Sequence, residues 1–140
     1  MEELLACVYL IEEGLESETL YENKLNELFA ATPYCNDLFK LELLSGNIKE
    51  SIVYIKTHID YSAMNKQIFG KTLMTLLKPI YASMDIEKFG CHMFSLWESL
   101  AGNLQDEEPF SILSYADNSE ITNDKAKLKK SYEKMLLFYD

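Results

Sequence analysis

The chain predicts an all-α fold, and three observations predict it. Apolar residues recur three and four positions apart along most of its length, which is the spacing of one helix face. Cap residues and glycines stand at the ends of those stretches. Neither Asn-Gly nor Asp-Gly occurs, so nothing supplies a two-residue hairpin turn.

The first helix is expected over 2–13. Leu4, Val8, Ile11 and Leu15 share a stripe, and the run from Leu4 to Ile11 is so apolar that the helix should be buried on more than one side. Gly14 follows as the residue that tolerates the left-handed turn at a helix end. The second helix opens between Ser17 and Thr19, with Thr19 and Glu22 spaced as a capping box, and ends near Ala31. Its inner face is Tyr21, Leu25, Leu28 and Phe29. Thr32-Pro33 reads as the cap and first position of a third helix over 34–45, with Leu38, Leu41 and Leu44 inward and Gly46 as its end. Asn47, with Glu50 three residues on, caps a fourth. Ile48, Ile52, Ile55 and Ile59 make a helical stripe there, although 53–61 also alternates as a strand does; the cap favours helix.

Ser62 is the expected cap of a longer helix, with Phe69, Leu73, Leu76 and Ile80 inward, which Pro79 should end or kink. Asp85 caps the next, over 86–101, with Ile86, Phe89, Met93, Leu96, Trp97 and Leu100 buried and Gly102 closing it. A short helix is expected from Pro109 to Tyr115, a loop over 116–124, and a final helix over 124–139 facing inward with Leu128, Tyr132, Met135, Leu136 and Tyr139. Seven to eight helices with short connections make antiparallel neighbours, as a bundle or a short stack of helical hairpins. No repeat at 33, 34 or 40 residues marks a solenoid.

A chain of 140 residues, 48% hydrophobic, suits one compact domain over 1–140. No apolar run reaches the length of a membrane span, and Met1-Glu2-Glu3-Leu4 is acidic where a secretory signal is basic, so a cytoplasmic protein is expected. Thirteen lysines, no arginine and 23 acids give a net charge of −10. Nucleic acid and anionic membrane are poor partners for that balance. The excess lies in two places. Residues 1–27 carry a net −7 and residues 104–124 a net −6, whereas 28–103 balance and 125–140 are net positive.

Catalytic and metal chemistry find little footing. The glycines stand singly, so no phosphate-binding loop exists. His58 and His92 are far apart, neither has a glutamate three residues before it, and no paired-cysteine motif occurs. No metal site and no cofactor are implied. Cys7, Cys35 and Cys91 sit among apolar neighbours and read as reduced core thiols. Cys91 and His92 are adjacent, and adjacent helical residues do not face each other. The lysine-rich run 125–130 reads as the polar face of the last helix. The carboxylate pairs Glu12-Glu13 and Glu107-Glu108 could serve an enzyme only if two acids converged in one pocket. A protein-binding surface fits them better. Tyr115, an aromatic inside an acidic segment between Glu107-Glu108 and Asp117, is a candidate hot spot.

The acidic, helical whole-chain character, with the segment Glu107-Glu108-Pro109-Phe110-Ser111-Ile112-Leu113-Ser114-Tyr115-Ala116-Asp117-Asn118, resembles the immunity proteins of bacterial polymorphic toxins, including those of contact-dependent growth inhibition. The resemblance implies a non-enzymatic protein that binds a cognate toxin domain, often a basic nuclease, and blocks it. Charge complementarity makes the same sense physically, because an anionic protein can occupy a cleft built for a polyanion. The expected contact residues are Glu12, Glu13, Glu16 and Glu18, or Asp106, Glu107, Glu108, Tyr115 and Asp117. The alternative is an adaptor or chaperone that presents an apolar groove to a partner helix.

Overall fold

In a computed structural model, residues 1–117 and 124–140 are described. The described residues are helical, with no strand among them. In chain order the helices are α1 (Glu2–Glu12), α2 (Glu18–Ala31), α3 (Asn36–Leu43), α4 (Ile48–His58), α5 (Lys66–Ser83), α6 (Ile86–Ser99), α7 (Gly102–Gln105), a 3-10 helix (Phe110–Asp117) and α8 (Lys125–Leu136). The all-α prediction holds, and 53–58 is helix rather than strand. The chain divides into two compact units, Met1–Phe69 and Gly70–Asp140, with α5 beginning in the first and carrying into the second.

In the first unit α1 packs on α2 and α4, and α2 on α3. Leu4 through Leu10 are all buried, as the near-continuous apolar run requires. The end of α1 is a Schellman turn. Gly14 at φ 72° lets its own N–H reach the Ile11 carbonyl at 3.0 Å and the Leu15 N–H reach that of Leu10 at 2.9 Å. Two expected caps fall elsewhere. Ser17, not Thr19, holds the N-cap position of α2, and the Thr19–Glu22 box does not form. Thr32 ends α2 rather than starting α3; its hydroxyl donates to the Leu28 carbonyl at 2.8 Å. The Asn47 cap is as read, with Oδ1 accepting from the Glu50 N–H at 3.2 Å. Tyr54 ties α4 to α3 by donating to Asp37 Oδ1 at 2.8 Å.

Helix α5 starts at Lys66, capped by Asn65, whose Oδ1 accepts from the Gln67 and Ile68 N–H groups. Ser62 instead donates to Asp60 in the preceding turn. Pro79 does not stop the helix, which continues to Ser83. Its ring removes one bond to the Thr75 carbonyl, and both residues are exposed, so water can serve that oxygen. The inner face of α5 is also turned. Phe69, Leu73, Met74 and Leu77 are buried, while Leu76 and Ile80 are only half-buried. Gly70 explains the turn, because the Tyr139 ring occupies the space a methyl would need there.

In the second unit the 3-10 helix packs against α6, α7 and α8. Ile86, Phe89, Met93, Leu96 and Leu100 are buried as expected. Gly102 does not close α6 but opens α7. Trp97 and Gln105 lock the two together: Trp97 Nε1 donates to the Gln105 carbonyl, and Gln105 Nε2 to the Trp97 carbonyl, both at 3.0 Å. Phe89 meets Tyr132 edge to face at 5.1 Å between ring centres. Asp124 caps α8 through its Oδ1, which accepts from the Ala126 and Lys127 N–H groups. The Lys78 ammonium grips both carboxylate oxygens of Asp140 at 3.0 and 2.8 Å.

Candidate functional site

The α1–α2 corner carries the first set of expected contact residues. Glu12 ends α1 and turns toward α4, where it pairs with Lys56. The Lys56 ammonium also stands over the Tyr9 ring, 4.6 Å from its centre. Glu12 is therefore spent within the fold. Glu13 is the half-buried C-cap residue of α1, Glu16 is half-buried in the turn, and Glu18 is the exposed first residue of α2. Glu16, Glu18 and Glu22 form no ion pair among the described residues, whereas Lys24 is taken by Glu27 at 3.5 Å and Glu3 at 3.9 Å.

Between α2 and the α3–α4 turn lies a cleft of 210 Å³. One wall is a single stripe of α2: Glu18, Tyr21, Glu22, Leu25 and Asn26, at i, i+3, i+4, i+7 and i+8. The other is Ser45, Gly46, Ile48 and Ser51. Among the described residues, Glu18 and Glu22 are the charged ones that line it. The floor is Tyr21, 3% exposed, and Ser51, 1% exposed. Burial raises the Tyr21 phenol above its ordinary pKa, and Ser51 beside it works in the opposite direction. The Ser51 hydroxyl donates to the Asn47 carbonyl at 3.0 Å, and its oxygen stands beside the buried Tyr21 hydroxyl. Both carboxylates stand on the α2 wall with no titratable group opposite. That arrangement can hold positive charge; it does not flank a scissile bond as paired catalytic acids do.

The second set is less well presented. Asp106, Glu107 and Glu108 are exposed just before the 3-10 helix. The short helix expected up to Tyr115 forms as a 3-10 helix over 110–117, so Tyr115 is held half-buried in it rather than in a loop. Asp117 ends that helix, its side chain lies outside the described residues, and 118–123 of the expected loop lie outside them too. Of the three expected core thiols only Cys7 is fully buried. Cys7 is buried, Cys35 half-buried and Cys91 exposed, because Cys91 falls on the outer face of α6, opposite Phe89, Met93 and Leu96. All three are free thiols.

Sequence reading missed an apolar surface on α3 and α4. A shallow groove of 460 Å³ is lined by residues that include Lys40, Leu44, Lys49, Val53 and Tyr54. The same helices leave Phe39, Leu43 and Val53 more than half exposed, at 53%, 64% and 61%. The signal was present: Phe39 and Leu43 are four apart, on the face of α3 opposite Leu38 and Leu41. Among the described residues no group of three or more His, Cys, Asp or Glu is placed to hold a metal ion, and no helix is long and apolar enough to cross a membrane. Comparison with family models, with curated proteins and with solved structures finds no match.

Proposed function

We propose that the protein neutralises a basic partner protein, a cognate bacterial toxin domain of nuclease type, by binding it through the acidic α1–α2 corner without catalysis. One observation carries the reading: Glu18 and Glu22 line a concave surface with no cation among its described lining residues, and neither they nor the neighbouring Glu16 form an ion pair among the described residues. Gathered negative charge attracts a cationic cleft over about one Debye length, ~8 Å at physiological salt, and raises association rates there. The 106–108 acids are a second patch of the same sign.

The test is stopped-flow association with a basic nuclease toxin domain offered as the cognate partner, at about 50 mM and about 500 mM salt. The rate should fall steeply with salt and with Glu18→Lys, and the toxin's nuclease activity should be blocked. Equal rates at both salts would refute charge steering. The α3–α4 groove favours a second reading, an adaptor that holds an amphipathic helix whose apolar side chains seat on Leu44 and Val53 and whose carboxylates meet Lys40 and Lys49. That binding would survive high salt and be lost in Val53→Asp, with Glu18→Lys silent.

A further inference from the structure

We infer that the outer face of α3 and α4 is the surface through which two copies of this chain associate as a two-fold dimer. Both helices belong to the first compact unit. Helix α3 turns Leu38 and Leu41 inward, and α4 turns Ser51 and Ile55 inward. That leaves Leu43 and Val53 on the outer side, more than half exposed, beside the 460 Å³ groove. One wall of the groove is held in place before any partner arrives. The Tyr54 hydroxyl donates to Asp37 Oδ1 at 2.8 Å, and the Tyr54 ring stacks on His58 with 3.8 Å between ring centres and 16° between planes. A rigid apolar surface loses little freedom on binding, so its burial is favourable.

Charge selects a second copy as the occupant. A two-fold interface sets one patch against itself, so a patch of a single sign repels its own image. The acidic segment 1–27, net −7, and the final segment 125–140, net +3, both fail on that ground. The stretch 36–58 does not: Asp37, Glu42 and Glu50 balance Lys40, Lys49 and Lys56, in a chain of net −10. Lys40, Lys49 and Glu50 all line the groove, so a two-fold pairing can set a lysine of one copy against Glu50 of the other. Area sets the strength. Helices of 8 and 11 residues are about 12 and 16 Å long and about 10 Å wide, which outlines a face of about 300 Å². That is well under the ~800 Å² per partner of a standard interface, so the dimer is weak and concentration-dependent, with a Kd of about 0.1 mM.

The experiment is sedimentation equilibrium of the full chain from about 20 μM to about 1 mM, at about 50 mM and about 500 mM salt. A monomer–dimer equilibrium is expected at high salt. It should weaken severalfold at low salt, where repulsion between two chains of net −10 is less screened. Val53→Asp should weaken it about tenfold or more, because the two-fold brings the new carboxylate in twice. Leu137→Asp, at a similarly exposed site in the other unit, should leave it unchanged. Far-UV circular dichroism checks that each variant is folded. A chain that stays monomeric at about 1 mM in high salt would overturn the inference. So would a dimer indifferent to Val53→Asp, or one that tightens at low salt, since that would pair the acidic corner with α8 instead. A monomer whose 40–57 backbone amides shift on addition of an acidic amphipathic peptide would overturn it too and give the groove to a foreign helix. None of these outcomes involves a toxin, so the dimer stands or falls apart from the neutralising function.

Discussion

Tyr132 gives the sharpest test of the packing in the second unit. Its side chain is fully buried, its hydroxyl forms no hydrogen bond among the described residues, and burial raises its pKa far above that of a free phenol. The hydroxyl stands over Gly90, where even an added methyl would lie 3.4 Å away. A buried hydroxyl without a partner costs about 1–3 kcal/mol. Tyr132→Phe removes that cost. It forfeits a few oxygen contacts of about 0.1–0.2 kcal/mol each and keeps the edge-to-face contact with Phe89. The variant should therefore be more stable by about 1 kcal/mol. With a urea slope of about 2 kcal/mol/M the midpoint should rise by about 0.5 M with the slope unchanged. Tyr81→Phe is the control, since its hydroxyl donates to Glu133 at 3.2 Å near the surface, and its midpoint should stay level or fall slightly. A loss of about 1 kcal/mol or more in Tyr132→Phe would refute the reasoning, because it would show a hydroxyl well served in the folded state.

Further outcomes follow from other sites. Burial pushes the Cys7 thiol from 9.0 up to about 11. The unfolded chain then loses this proton first as pH rises. The contribution is present below about pH 9 and lost between about 9 and 11, amounting to about 2–3 kcal/mol. Urea midpoints across that window should fall more steeply for the native chain than for Cys7→Ala, and a thiol reagent should label Cys91 first and Cys7 last. Asn47→Ala should cost about 1 kcal/mol by freeing the α4 N-terminus, whereas Thr19→Ala should lie within about 0.5 kcal/mol of neutral, since Thr19 caps nothing. Gly70→Ala forces the Tyr139 ring out of its place and should cost about 1–3 kcal/mol, part of which returns in the Gly70→Ala, Tyr139→Leu pair; strict additivity of the two changes in denaturant unfolding would deny the contact.

The candidate site was only partly legible. Net charge by segment located the acidic corner, because charge is a property of composition. It did not distinguish Glu12, which Lys56 neutralises from another helix, from Glu18, which faces a cleft. Nor did it single out Glu22, assigned to a capping box that does not form, or Tyr21, read simply as core.

The sequence alone determined the all-α class, the Gly14 turn, and the caps at Asn47 and Asp85, because those depend on residues within one turn of each other. The stripe of α6 was equally local, since 3.6-residue periodicity needs no partner to be visible. Tertiary structure decided the rest. It turned α5 so that Gly70 receives Tyr139, packed the helix that carries Tyr115 against α6, and set Ser45 and Ser51 across from Glu18 and Glu22. Each of those depends on which distant side chain fills a given space, and packing of that kind leaves no periodic trace along the chain.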